Sequence, residues 1–387
     1  MAPCYCATPG LWRRCRAQQI CCIATNLISG RLEFDKHRQH RAAVDLVQKK
    51  DTILDYPEIR LPEGGEAREI LPGIRWLRMP LPMALDHVNL WLLADGDHWA
   101  AVDTGIATDE QKSFWQQILA THPLSHLVVT HLHPDHLGLA AWLQERTGAP
   151  LWMTQGEFAT AHLFLNQMGH WSFAEVEALY ARHGLSQELQ TALAGRSGGY
   201  RKGVPAIPAT YRRMIDGDQF TIGDQTWRVI TGYGHSPEHA SLYCDELHVL
   251  ISGDMMLPRI STNVSVSPTS PDDDGLGRFL DSIARFRELP EDTLVLPSHG
   301  RPFRGLHLRI AQLEAHHAER CEVLTEACVV PKTAAELVPV LFDRPINDAH
   351  QIFFALGETI AHLNHLLRAG RVRRIEEGSH FHFVTVS

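Results

Sequence analysis

One stretch constrains this chain more than any other: His131-Leu-His133-Pro-Asp135-His136. It follows the apolar run Leu127-Val-Val-Thr130, which predicts a buried strand, and precedes a Leu/Ala-rich segment after Gly138, which predicts a helix. The cluster therefore falls on a strand-to-helix loop, where side chains converge on one point. In extended backbone, residues two apart share a face, so His131 and His133 can hold one ion. Asp135 and His136, further along, can hold a second. Neutral imidazole plus carboxylate suits zinc and its first-row neighbours. The chain has 24 His in 387 residues. At that frequency three His in this pattern arise by chance roughly 0.1 times per chain, before Asp135 is required.

More candidates stand at strand ends. His235 sits in the Gly-rich turn Gly232-Tyr-Gly-His235-Ser-Pro-Glu-His239, Asp254 ends Leu250-Ile-Ser-Gly-Asp254, and His299 ends Val295-Leu-Pro-Ser-His299. One edge of a β-sandwich would bring these ends together. His131, His133 and His235 then make one ion site, Asp135, His136 and His299 a second, and Asp254 bridges them. Two divalent ions so placed lower the pKa of a shared water, give hydroxide at neutral pH and receive a developing oxyanion. Asp103, in Ala101-Val-Asp-Thr-Gly105, is expected to fix a ligand imidazole from behind, and His239 to play a similar supporting part. His87 and His126 read as ordinary histidines. The chain has no GxSxG, and its lone thiols have no evident His partner, so a protein nucleophile is not expected.

The remaining sequence bounds the setting. Hydrophobic content of 44% and charged content of 21% are ordinary for a globular enzyme. A net charge of −9 disfavours general nucleic-acid binding. No apolar run approaches the ~20 residues of a membrane span. Cys4, Cys6, Cys15, Cys21 and Cys22 crowd the first residues, while Cys244, Cys321 and Cys328 are scattered. Sparse thiols in the folded part point to a reducing, cytoplasmic setting. Residues 1–62 are expected to form a poorly ordered N-terminal extension, with a short helix near Arg41–Lys50. Residues 63–304 form the catalytic domain, interrupted by a helical cap over about 155–213. Basic residues of that cap, Tyr211, Arg212 and Arg213, are candidates for clamping an anionic part of a substrate. Residues 305–387 read as helices followed by two strand-like runs around Glu377-Gly-Ser379, a helical, winged-helix-like module. Such modules serve as packing or dimer surfaces, which leaves a homodimer open.

With these motifs in place the chain resembles the metallo-β-lactamase superfamily. The resemblance rests on Asp103-Thr-Gly, His131-Leu-His-Pro-Asp-His136, Gly234-His-Ser-Pro-Glu-His239, Ser252-Gly-Asp254 and Ser298-His-Gly300, and covers roughly Glu66 to Arg304. It implies an α/β fold, an αββα sandwich with a binuclear site at one edge, most often zinc, with iron or manganese tolerated. The helices and hairpin after His299 look like the winged-helix tail of the lactamase-like hydrolases. A bridging Asp254 is similar to glyoxalase II-type thioesterases, lactonases and phosphodiesterases, and true β-lactamases lack it. Glyoxalase II itself carries a different C-terminal helical domain, which disfavours glutathione as a binding partner.

The leading expectation is a metal-dependent hydrolase acting on a small-molecule thioester or ester. In it a metal-bridging hydroxide attacks the carbonyl, and Asp135 orients the hydroxide and takes its proton. The alternative is a phosphodiesterase or single-strand ribonuclease on the same two-metal site, which the acidic charge disfavours and the basic run Arg368–Arg374 favours. A third class, a flavin- or iron-partnered redox protein, lacks its flavin domain here. No membrane partner is expected.

Overall fold

The computed structural model describes residues 53–83, 85–194, 198–342, 346 and 349–386. Most of the expected N-terminal extension, with its five cysteines and the helix expected near Arg41–Lys50, lies outside these residues. Strands β1 (Arg68–Leu71), β2 (Ile74–Pro80), β3 (His87–Asp95) and β4 (His98–Val102) form an antiparallel meander. Helix α1 (Asp109–Leu119) leads to β5 (Leu124–Val128), parallel to β4. Helices α2 (Pro134–Leu137) and α3 (Ala140–Thr147) lead to β6 (Leu151–Thr154), parallel to β5. Helices α4 (Gln155–Leu165), α5 (Phe173–Arg182), α6 (Gln187–Ala194) and α7 (Gly199–Gly203) form the cap. Strand β7 (Arg212–Met214) then closes the seven-stranded sheet, parallel to β6.

The second sheet holds β8 (Gln219–Ile222), β9 (Gln225–Gly232), β10 (His239–Cys244), β11 (Val249–Gly253) and β12 (Leu294–Pro297), in the order β12-β11-β10-β9-β8. Helix α8 (Gly275–Ala284) crosses from β11 to its parallel neighbour β12. The chain ends with α9 (Leu306–Ala327), α10 (Ala334–Leu341), α11 (Ala349–Arg368) and the antiparallel hairpin β13 (Val372–Glu377) and β14 (His380–Thr385).

Strand alternation creates the layers. Trp76, Trp91, Val102 and Val128 of the first sheet pack against Trp227, Val229, Leu242 and Ile251 of the second. Their neighbours Leu77, Leu90, Leu92 and Leu127 point the other way, onto Trp115 of α1 and Leu143 of α3. Leu250 likewise turns outward onto Ile283, Leu306 and Ile310. Both faces of each sheet are thus covered, which is why the strands read as near-continuous apolar runs. The result is the expected αββα sandwich. The apolar cluster outside the second sheet runs on without a break into Leu337, Leu356, Leu363 and Phe383, so the C-terminal helices and hairpin share a core with that sheet.

Three strands escape the sequence pattern. β1 and β6 have only four residues, too few to show a period, and β7 is the polar Arg212-Arg-Met. The basic residues expected to clamp an anion therefore stand in an edge strand, where exposed charge is common for reasons of solubility. No helix among the described residues is long and apolar enough to cross a membrane. Trp76 is fully buried between the sheets, stacked on Trp91. Trp76→Ala is expected to cost about 3–5 kcal/mol in chemical denaturation; a loss below about 1 kcal/mol would contradict this packing.

Candidate metal centre

Every candidate ligand hangs from one edge of the sandwich. Asp103 follows β4, residues 131–136 follow β5, His235 follows β9, Asp254 follows β11 and His299 follows β12. The sheets are tied together at this edge, where Ala240 N–H donates to the Thr130 carbonyl (2.9 Å) and Asn89 N–H to that of Ser298 (2.6 Å). The buried Asn89 amide also donates to the carbonyls of Pro297 and Gly300, both at 2.8 Å, and so shapes the loop that carries His299.

The structure brings all seven expected ligands together. His131 Nε2 lies 2.9 Å from His133 Nδ1 and 3.2 Å from His235 Nε2. On the other side, Asp135 Oδ2 lies 3.5 Å from both His136 Nε2 and His299 Nε2. Asp254 stands between. Its Oδ2 is 3.4 Å from His235 Nε2, and its Oδ1 is 3.7 Å from His136 Nε2 and 3.4 Å from His299 Nε2. Three overlapping groups could each hold an ion: His131–His133–His235, His131–His136–Asp254 and Asp135–His136–His299. Ligand atoms about 2.0–2.1 Å from a tetrahedral ion stand about 3.3 Å apart, close to these separations.

The far side of each ring shows why these nitrogens are free to bind. His136 Nδ1–H donates to Asp103 Oδ2 (2.8 Å), His235 Nδ1–H to the Asn263 carbonyl (2.7 Å) and His299 Nδ1–H to the His87 carbonyl (2.8 Å). Thr130 hydroxyl donates to Asp103, so its oxygen accepts from His131 Nδ1–H at 3.0 Å. With Nδ1 protonated, each of these four rings turns a bare Nε2 toward the cluster. His136 Nε2 and Asp254 Oδ1 are buried without any hydrogen-bond partner. A cation between them would satisfy both, so the residues fit divalent metal ions.

Electrostatics agree. Burial would raise the Asp254 pKa, but His299 and His136 hold it well below the usual carboxylate range. Burial opposes charge on His136, yet Asp135, Asp103 and Asp254 pull its pKa well above the ordinary imidazole value. His299 is likewise raised, by Asp254 and Asp135 against its burial. Burial keeps His133 neutral, with a pKa of about 3, and His131 is lowered by burial and its imidazole neighbours. One half of the cluster is thus a buried group of neutral imidazoles, and the other a carboxylate-rich one that favours positive charge.

Supporting residues stand where the sequence placed some of them. Asp103, at φ 65°, accepts from Thr130 N–H (2.8 Å) as well as from His136. His239 Nε2 accepts from the Asp254 N–H at 3.1 Å. A Cβ on Gly253, at φ 53°, would lie 2.3 Å from that nitrogen, which explains the glycine before Asp254. His87, read as an ordinary histidine, in fact backs the His299 loop: besides its carbonyl, its Nε2 accepts from Gly300 N–H (2.9 Å). Asn263 and the buried Glu157, with its pKa raised by burial to about 7, were also missed. Neither belongs to a spacing pattern; a Glu in the first turn of a helix is unremarkable in sequence. Tyr211 stacks on Phe158, and Arg212 lies over Trp152. Arg212 and Arg213 pair with Trp152 and Met153 of β6, and none of the three candidate ion groups among the described residues includes Tyr211, Arg212 or Arg213.

Comparison with known proteins agrees with this geometry. Residues 83–299 match the metallo-beta-lactamase superfamily, and residues 321–385 match the metallo-beta-lactamase-like, C-terminal domain. The chain is similar to a beta-lactamase domain protein from Burkholderia ambifaria of known crystal structure. The two are 46% identical with a TM-score of 0.80, over 86% of this chain and 98% of that one. It is 24% identical to the probable metallo-hydrolase YqjP of Bacillus subtilis over 325 residues, 80% of this chain and 97% of the relative. It is 22% identical to the atrochrysone carboxyl ACP thioesterase of Aspergillus fumigatus over 325 residues, 76% of this chain and 83% of the relative.

The two halves should respond differently to acid. A cation entering the Asp135–His136–His299 group must displace protons from imidazoles whose pKa is raised, whereas His131 and His133 are already neutral. As pH falls toward about 6.5, chelator competition should show one ion weakening first. Loss of both ions in a single step would contradict this division.

Proposed function

The chain belongs to the metallo-β-lactamase superfamily and is a metal-dependent hydrolase, and from that premise we propose that it cleaves a thioester or ester of a small molecule with two divalent ions, zinc foremost. The observation that carries the binuclear reading is Asp254, whose two oxygens face the two ligand groups separately. Bound there, the ions would polarise the carbonyl and acidify the attacking water.

The protein's own share follows from placement. Asp135 has the more open carboxylate, with 18% of its side chain exposed against 11% for Asp254. Asp135 orients the attacking water and takes its proton, returning it to the leaving thiolate or alkoxide. His131, His133 and His235 would hold one ion, and Asp135, His136 and His299 the other. Asp103 keeps His136 in the tautomer that leaves Nε2 free, and His239 fixes the backbone of Asp254.

Two facts favour acyl transfer over phosphodiester cleavage. One relative over most of the chain is a carboxyl ACP thioesterase. The basic C-terminal run, which would favour a nucleic-acid substrate, has part of its charge matched: Arg371 pairs with Glu322 (2.6 Å) and Arg374 with Asp272 (2.6 Å). Purified zinc-loaded protein, assayed side by side, should turn over acyl thioesters faster than a bis-aryl phosphodiester; phosphodiester turnover alone would overturn the proposal. Asp254→Ala should lower that turnover by more than about 100-fold, beyond the 10–100-fold cost of losing a supporting residue, and unchanged turnover would refute the bridging role.

A further inference from the structure

We propose that Glu157, the carboxylate at the entrance to the helical cap, is the positioning residue for one of the two ions alone, the one held by His131, His133 and His235. This inference rests on the metal reading of those three histidines. Glu157 is fully buried in the first turn of α4. Its Oε2 accepts from Leu132 N–H at 2.9 Å, and Leu132 separates His131 from His133. Its Oε1 accepts from the Ser236 hydroxyl and from Glu238 N–H, both at 2.6 Å, and Ser236 follows His235. One carboxylate therefore pins both loops that supply the three-histidine group.

Neighbouring bonds strengthen the same clamp. Gly156 N–H donates to Glu238 Oε2 and Thr154 hydroxyl to the Glu238 carbonyl, both at 2.7 Å. From the far end of the cap, Tyr200 hydroxyl donates to the Leu132 carbonyl at 2.8 Å, so Leu132 is held by the cap at both its N–H and its C=O. The other group rests on the His87 carbonyl behind His299 and on Asp103 behind His136, and Asp103 also reaches His131 through the Thr130 hydroxyl. The cap thus does more than cover a substrate: it sets the geometry of one metal position and leaves the other to the first sheet.

The two acceptor oxygens of the Glu157 carboxyl are what this role uses. Three donors converge on two oxygens. An amide in place of the carboxylate would turn an N–H₂ toward at least one of those donors, leaving it unpaired in a dry site.

The test is zinc titration of the full-length protein against a chelating dye, with circular dichroism to monitor the fold. Wild-type protein is expected to bind two ions. Glu157→Gln should weaken one ion at least about tenfold and leave the other unchanged. His299→Ala should weaken the other ion only, and the Glu157→Gln/His299→Ala double variant should weaken both, because the two residues serve different positions. Ser236→Ala removes one of the three bonds while keeping the carboxylate, and should weaken the same ion as Glu157→Gln by a smaller factor; it decides the matter if Glu157→Gln fails to fold. Wild-type protein that binds fewer than two ions would overturn the underlying metal reading and the inference with it. Two ions in wild type, with both retained at full affinity or both weakened equally in Glu157→Gln and Ser236→Ala, would overturn the inference alone.

Discussion

Five imidazoles and two carboxylates share one buried edge of this sandwich, and the rest of the molecule is arranged around the problem they pose. Buried charge must be matched by opposite charge or by hydrogen bonds. The outer nitrogens of His131, His136, His235 and His299 are already committed to Thr130, Asp103, Asn263 and the His87 carbonyl. The inner nitrogens face one another at 2.9 and 3.2 Å, an arrangement that a cation among them would satisfy. A divalent cation would meet this demand; protons on His136 and His299 meet it only on the carboxylate-rich side.

Rigid supports hold the conflict in place. The strand ends come from two sheets whose shared core packs Trp76, Trp91 and Trp227. Asn89 ties the first sheet to the His299 loop. Additions to the sandwich also reach the ligands. The cap does so through Glu157 and Tyr200. The C-terminal helix α11 does so through Gly357, where a Cβ would lie 2.7 Å from the Ser265 hydroxyl. Ser265 donates to the side chain of Asn263, whose carbonyl orients His235. A metal-binding edge built on loops thus acquires the stiffness that catalysis needs from elements far away in sequence.

What the sequence revealed and what it hid divide along physical lines. His131–His136, His235, Asp254 and His299 were legible because ligand chemistry permits few residue types and each follows an apolar run. The four layers were legible only through the family resemblance that those ligand motifs carry, since strands buried on both faces, such as Val249–Gly253, show no alternation. Strands β6 and β7 were not, because a short parallel strand gains its identity from neighbours such as Val128 and Trp152 rather than from its own pattern. Glu157, His87 and Asn263 were hidden for a different reason. A supporting residue acts by reaching across the fold, here from Glu157 to Ser236 and from His87 to Gly300, and nothing local marks such a reach. The basic run at Tyr211–Arg213 offered a substrate clamp in sequence, and the structure places Arg212 and Arg213 in the exposed edge strand of the first sheet.

The central claim is that Asp254 stands between two separate ion positions. Anomalous diffraction from zinc-loaded crystals, measured at the zinc absorption edge, tests it most directly. The structure predicts two peaks flanking the Asp254 carboxylate, one among His131, His133 and His235 and the other among Asp135, His136 and His299. A single peak, or peaks that leave the Asp254 carboxylate to one side, would contradict it.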